Sequence, residues 1–213
     1  MSAQQTVAVT GEDKGIRFGQ RVVDALLTAI ELREPALAAH ARHVADLAVQ
    51  IGRDLLYRDV DLGTLRTAAL LHDVGKIALP ECIVRKAGPL NRQEQTAMRL
   101  HPELGYEIAR RTPALAGAAE AIVAHHEYFD GTGYPRGLQK HDIPLDSRII
   151  AVADAFDVIT HKRPYKRAST ALDAVVEITS CAGTQFDPDV VESLIRTTPV
   201  AGLSDRGQHA LCA

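Results

Sequence analysis

Apolar residues recur along this chain at steps of three and four over long stretches. From about Arg17 to Leu32, the positions Val22, Val23, Leu26, Leu27 and Ile30 fall on one side of a helix. A second stripe, Leu37, Val44, Leu47, Ala48 and Ile51, predicts a helix that opens at Pro35, where a missing N–H is harmless, and runs to about Leu55. A third follows Asp61 with Leu65, Ala68, Ala69 and Leu71, and stops near Gly75. Residues 77–90, with Pro80, Gly88 and Pro89, read as a loop. Asn91 with Glu94 three residues on has the form of a capping box. Further helices are predicted from Pro102 to Arg111, Pro113 to His126, Asp146 to Thr160, Thr170 to about Ser180, and from Asp187-Pro188 onward. Strand alternation and internal repeats are missing. The expected fold is all-α, a compact bundle of roughly seven to nine helices at ~11–12 residues each. One domain over 16–197 is expected, with loose tails at 1–15 and 198–213.

Composition adds a constraint on that bundle. Of the 213 residues, 46% are hydrophobic but only 4% aromatic, with no Trp. Ala, Leu, Ile and Val must therefore fill the core, which favours close helix packing. A net charge of −3 argues against a broad nucleic-acid surface, which rests on phosphate neutralisation, but leaves room for a small anionic ligand on a local cationic cluster. Cys82, Cys181 and Cys212 have no metal or disulfide spacing and read as reduced thiols. No apolar run is long enough for a membrane span, and the polar start from Met1 to Lys14 is unlike a secretory signal, so the expected location is cytoplasmic.

Chemistry concentrates at predicted helix ends. His72-Asp73 closes one helix, and His125-His126-Glu127 closes another. Neighbouring residues on a helix point about 100° apart, so a His-Asp or His-His pair addresses two different ions more readily than one. Asp154 sits inside the apolar run from Ile149 to Phe156, where a carboxylate needs a partner or a metal, and Asp157 lies three residues on. Taken singly, His40 and His101 are ordinary helix histidines, and each of these pairs could be a solvated helix terminus.

Read together and in order, these stretches are similar to the HD-GYP subgroup of the HD phosphohydrolases. The matching residues are His72-Asp73-Val74-Gly75-Lys76-Ile77, Gly88-Pro89-Leu90, His101-Pro102 with Gly105, His125-His126-Glu127 through Asp130-Gly131-Thr132-Gly133-Tyr134-Pro135, Arg148 to Asp154, Arg163-Pro164-Tyr165-Lys166, and Gly183 to Pro188. The resemblance spans about residues 30–196 and implies an HD-type helical fold. It also implies hydrolysis of cyclic di-GMP to linear pGpG, often onward to GMP, by a metal-activated hydroxide. Its implied metal ligands are His40, His72, Asp73, His101, His125, His126 and Asp154, with Asp73 bridging. Lys76 is implied beside the scissile phosphate, Arg163 and Lys166 on phosphate oxygens, and Tyr134, Gly133 and Asp157 at the substrate.

Five imidazoles and two carboxylates suit Fe or Mn, and Zn by ligand type. The chain departs from the pattern at Ala36, where members with three metals have an acid, and at His43, where many have Arg. Ala36 implies two divalent ions. Two other readings stand beside the leading one. One is an HD phosphohydrolase of another cyclic dinucleotide. The other is a non-catalytic module that binds cyclic di-GMP or docks on its GGDEF-type synthases. A homodimer is compatible with any of them.

Overall fold

A computed structural model of the chain describes residues 11–161 and 170–198. Helix α1 spans Gly11–Arg33 and α2 spans Pro35–Asp54, with Pro35 in the first turn of α2 as its fixed φ favours. Helix α1 thus opens several residues before the apolar stripe that predicted it. Helix α3 (Asp59–Leu71) leads into a 3₁₀ segment, Val74–Ala78, and then the single turn α4 (Glu81–Val84). Helices α5 (Arg92–Met98), α6 (His101–Arg110), α7 (Ala119–Val123), α8 (Leu145–Thr160), α9 (Ala171–Ser180) and α10 (Pro188–Thr197) follow. The described residues contain no sheet, only an isolated bridge between Ala182 and Phe186. The all-α expectation therefore holds.

The core is built from small and branched aliphatic side chains, as the lack of aromatics required. Along α2, Ala38, Ala41, Val44, Ala45, Ala48 and Ile51 are buried at helical spacing. They face Leu65, Ala68 and Ala69 of α3 and Ile149, Ile150, Val152 and Ala153 of α8, all buried in the same cluster. Replacing a fully buried residue such as Leu65 by Ala would cost about 2–5 kcal/mol, because transfer and cavity terms add.

Two predicted segments turn out differently. The stretch Pro113–His126 is not one helix. It passes through turns and a 3₁₀ segment, Ala116–Ala118, before the short α7. Gly117 lies in that tight stretch, where its absent side chain leaves only the Thr64 methyl nearby, and glycine is a poor helix former. The loop over 77–90 contains the end of the first 3₁₀ segment and α4. Arg33, at the end of α1, ties this stretch down by donating to the carbonyls of Ile77 and Leu79. The capping boxes at Asn91/Glu94 and Thr170/Asp173 form, and Asp187 caps α10 while it pairs, buried, with Arg148.

Candidate metal centre

Helix ends deliver the histidines to one place. His72 follows α3, His101 begins α6, and His125 lies just beyond α7. Each turns its Nδ1 onto a backbone carbonyl three residues earlier: His72 on Ala69 at 2.7 Å, His101 on Met98 at 2.7 Å and His125 on Ile122 at 2.6 Å. A carbonyl only accepts, so each Nδ1 holds the proton, and in the neutral ring the free lone pair lies on Nε2. The Nε2 atoms of His101 and His125 stand 3.3 Å apart. Two lone pairs at that distance repel unless a cation lies between them. The buried Nε2 of His72 and Oδ1 of Asp73 have no hydrogen-bond partner. Orphaned buried acceptors are rare and costly, and here they point into a common space.

Asp73 spans the cluster. Its Oδ2 accepts from Lys76 Nζ at 2.6 Å and lies 3.5 Å from His72 Nε2, while its Oδ1 lies 3.2 Å from His101 Nε2. His40, on α2, reaches Asp154 on α8 with Nε2 to Oδ1 at 3.1 Å. The ligand-bearing atoms of His101, His125 and His126 lie within 4.8 Å of one another, as do those of His40, His72 and Asp73. The structure thus brings together all seven residues expected as ligands, six of them in two sets joined through Asp73 and the neighbouring rings, and Asp154 through its contact with His40.

Burial sets the protonation states. It lowers the pKa of His72 and His125, and lowers that of His126 to about 3, so these rings are neutral ligands. Burial alone would raise Asp73, but the Lys76 ammonium beside it outweighs burial and holds the carboxylate well below its ordinary range. Asp154 is likewise kept ionised, against burial, mainly by His40. Burial also works against charge on His40, but hydrogen bonds to Asp154 and Asp157 raise its pKa to about 9. Neutral imidazoles, two carboxylates and orphaned acceptors make a donor set that fits divalent transition-metal ions.

The string after His126 is a shaped loop. Glu127 is buried, and its carboxylate accepts the backbone N–H groups of Arg136 at 2.6 Å and Leu138 at 3.1 Å. Gly131 has φ +86°, a region glycine enters freely. Gly133 is required for space instead, since a Cβ there would come within 2.2 Å of the Tyr128 nitrogen. That close approach lays Tyr134 on the His126 ring, with centroids 4.8 Å apart, and the Arg99 guanidinium covers Tyr134 at 4.7 Å.

Two cavities of about 360 Å³ each meet at the cluster, and both are walled by His126, Asp154 and Val158. One runs past Tyr134, Ala155, Ile178 and Phe186, the other past Ala36, His40 and Lys76. Ala36 offers no ligand there. Asp157, expected at the substrate, lines neither cavity. It lies behind His40, whose Nδ1 meets its Oδ2 at 2.6 Å. Arg163 and Lys166 lie outside the described residues. The roles of Glu127 and Arg99, and the grouping of His43 and His161 around Asp157, escaped the sequence. Glu127 was visible inside the motif, while His161 gave no signal.

An all-α frame whose helix ends converge on a buried His/Asp cluster defines an HD-type metal domain. A family model described as "HD domain" matches residues 24–190. The chain belongs to the HD-domain family, in its HD-GYP subgroup. It is 37% identical over 177 residues to a cyclic di-GMP phosphodiesterase of Thermotoga maritima, covering 82% of this chain and 48% of the relative. It is also 37% identical over 172 residues to a 3'3'-cGAMP-specific phosphodiesterase of Vibrio cholerae, covering 80% of this chain and 33% of the relative. The chain therefore spans between a third and a half of these relatives. Its fold is similar to that of an HDG"Y"P protein from Bdellovibrio bacteriovorus, with a TM-score of 0.63, 16% identity, and coverage of 86% of this chain and 64% of that one. No helix among the described residues is long and apolar enough to cross a membrane.

Proposed function

We propose that the chain is a metal-dependent phosphodiesterase that hydrolyses cyclic di-GMP to pGpG, with GMP as a further product. The observation that carries this is the convergence of two histidine-bearing ligand sets on Asp73, with two cavities opening from the same cluster. A cyclic dinucleotide carries two bases, and each cavity is within the size range of small-molecule sites. The 37% identity to a named cyclic di-GMP phosphodiesterase supports the same substrate class.

Two divalent ions fit the two ligand sets, with His40, His72, His101, His125, His126 and Asp154 as ligands and Asp73 as the bridge. Fe or Mn is the assignment, with Zn compatible. Bound there, such ions supply Lewis acidity at the phosphate and make water nucleophilic at neutral pH. The remaining work belongs to side chains. Lys76, at 2.6 Å from Asp73 and partly open to the second cavity, places a point charge beside a phosphate. Tyr134, steadied between His126 and Arg99, faces the substrate, and Gly133 sets its approach. Arg163 and Lys166 hold phosphate oxygens. Asp157 keeps the His40 tautomer and ring orientation, as carboxylates behind metal-bound histidines do. The catalytic unit is residues 16–197. It acts in the cytoplasm, with GGDEF-type synthases and a second copy of the chain as candidate partners.

The test is release of pGpG by metal-loaded chain and its loss in Asp73→Ala. Normal turnover by that variant refutes the mechanism, and tight binding without product by the native chain favours the non-catalytic reading. The cGAMP-specific relative favours one alternative, a hybrid cyclic dinucleotide as the better substrate. A panel of cyclic dinucleotides compared by kcat/KM decides between them.

A further inference from the structure

Behind the metal centre, on the far side of His40, a second group of ligand atoms converges. His161 Nδ1 lies 2.8 Å from Asp157 Oδ1, and His43 Nδ1 lies 3.1 Å from the same oxygen. The two rings stack at 4.5 Å with 19° between their planes. Their ligand atoms and the carboxylate oxygen lie within 4.8 Å of one another. The carboxylate is almost fully buried, while the two imidazole side chains are 50% and 55% exposed. A cavity of about 330 Å³ opens in front of them, walled also by Asp46, Gln50 and Phe156.

As neutral N–H donors both rings can share the carboxylate oxygen, which has lone pairs for two. With those protons displaced, the same three atoms face one another as a ready set of metal ligands. Ligands about 2.0–2.1 Å from a tetrahedral ion stand roughly 3.3 Å apart, and the spacings here come close to that. Three protein ligands with an open side leave a coordination position for water or a small ligand.

We propose that His43, Asp157 and His161 form an accessory site for a divalent transition-metal ion of the zinc class, separate from the buried centre. Its position gives it a link inward. The Asp157 carboxylate that takes the outer ion on Oδ1 orients His40 through Oδ2, so the two sites share one carboxylate. Nothing in this proposal depends on which cyclic dinucleotide is cleaved.

The test uses the intact chain carrying its buried metals, dialysed against Zn²⁺ or Co²⁺, with metal content measured beside His43→Gln, His161→Gln and the double variant. Both replaced side chains are half exposed, so the fold tolerates them, and retention of the buried metals serves as the internal control. The native chain is expected to hold one more equivalent of Zn²⁺ than each variant, and Co²⁺ to give visible ligand-field bands that the variants lose. Equal metal content in the native chain and the double variant overturns the proposal.

Discussion

Gly75 sits in the 3₁₀ segment between Asp73 and Lys76, against the first turn of α6. A Cβ built there meets the His101 carbonyl oxygen at 2.0 Å, the Gly105 nitrogen at 2.5 Å and the His101 carbonyl carbon at 2.9 Å. All three are backbone atoms, so no side chain can rotate away. In Gly75→Ala the two segments must separate by about 1.4 Å to restore ordinary contact. His101 begins α6 and moves with it, yet its Nε2 faces Asp73 at 3.2 Å and His125 at 3.3 Å. Metal–ligand distances tolerate only about 0.2 Å, so the displacement removes His101 from its set. The expected outcome is loss of one metal equivalent and a fall of about 100-fold in kcat/KM, the scale of an ångström-level misplacement. Overpacking would also destabilise the chain by about 1–3 kcal/mol. Metal content by mass spectrometry, turnover of cyclic di-GMP and a urea titration measure the three effects. Native metal content with native turnover in Gly75→Ala would refute the spacing argument.

Lys76→Ala should keep the metals and lower kcat by about 10²–10³-fold, the usual scale for one charge-stabilising group; loss of metal instead would assign Lys76 to the ligand framework. Gly133→Ala, whose Cβ would meet the Tyr128 nitrogen at 2.2 Å, should displace Tyr134 and raise KM while the metal content is unchanged, as substrate titration would show. Asp187→Ala removes one partner of the buried Arg148 pair and the α10 cap, and should cost about 3–5 kcal/mol by chemical denaturation; a change under 1 kcal/mol in that experiment, a threshold on the order of a surface ion pair, would mean the pair is not needed. Chelation should lower the melting temperature, because ions that bind only the folded chain add to its stability.

The helices were legible where apolar spacing was long and regular, as in α2 and α8. Capping residues were legible where side chain and backbone cooperate locally, as at Asn91 and Glu94. The stretch before His125 was not, because its helical propensity is good apart from Gly117, and packing against α3 decides its shape. The ligand set was legible because a motif fixes residue order. The tautomers were not, since they depend on where the carbonyls of Ala69, Met98 and Ile122 stand in space. His161 was invisible for a related reason. Its meaning arises only when α2 and α8 pack and bring His43 across to Asp157.

The paired cavities bear on symmetry. Cyclic di-GMP looks the same after a half turn, so it has no wrong way round at a two-chambered site. The chambers, however, are unlike: one is walled by Ala155, Ile178 and Phe186, the other by Glu34, His40 and Lys76. A dinucleotide ring with two different bases would meet that asymmetry as a choice between two orientations. If the site is the proposed phosphodiesterase centre, each orientation would present a different phosphodiester bond for cleavage, and unequal chambers would yield unequal amounts of two linear isomers.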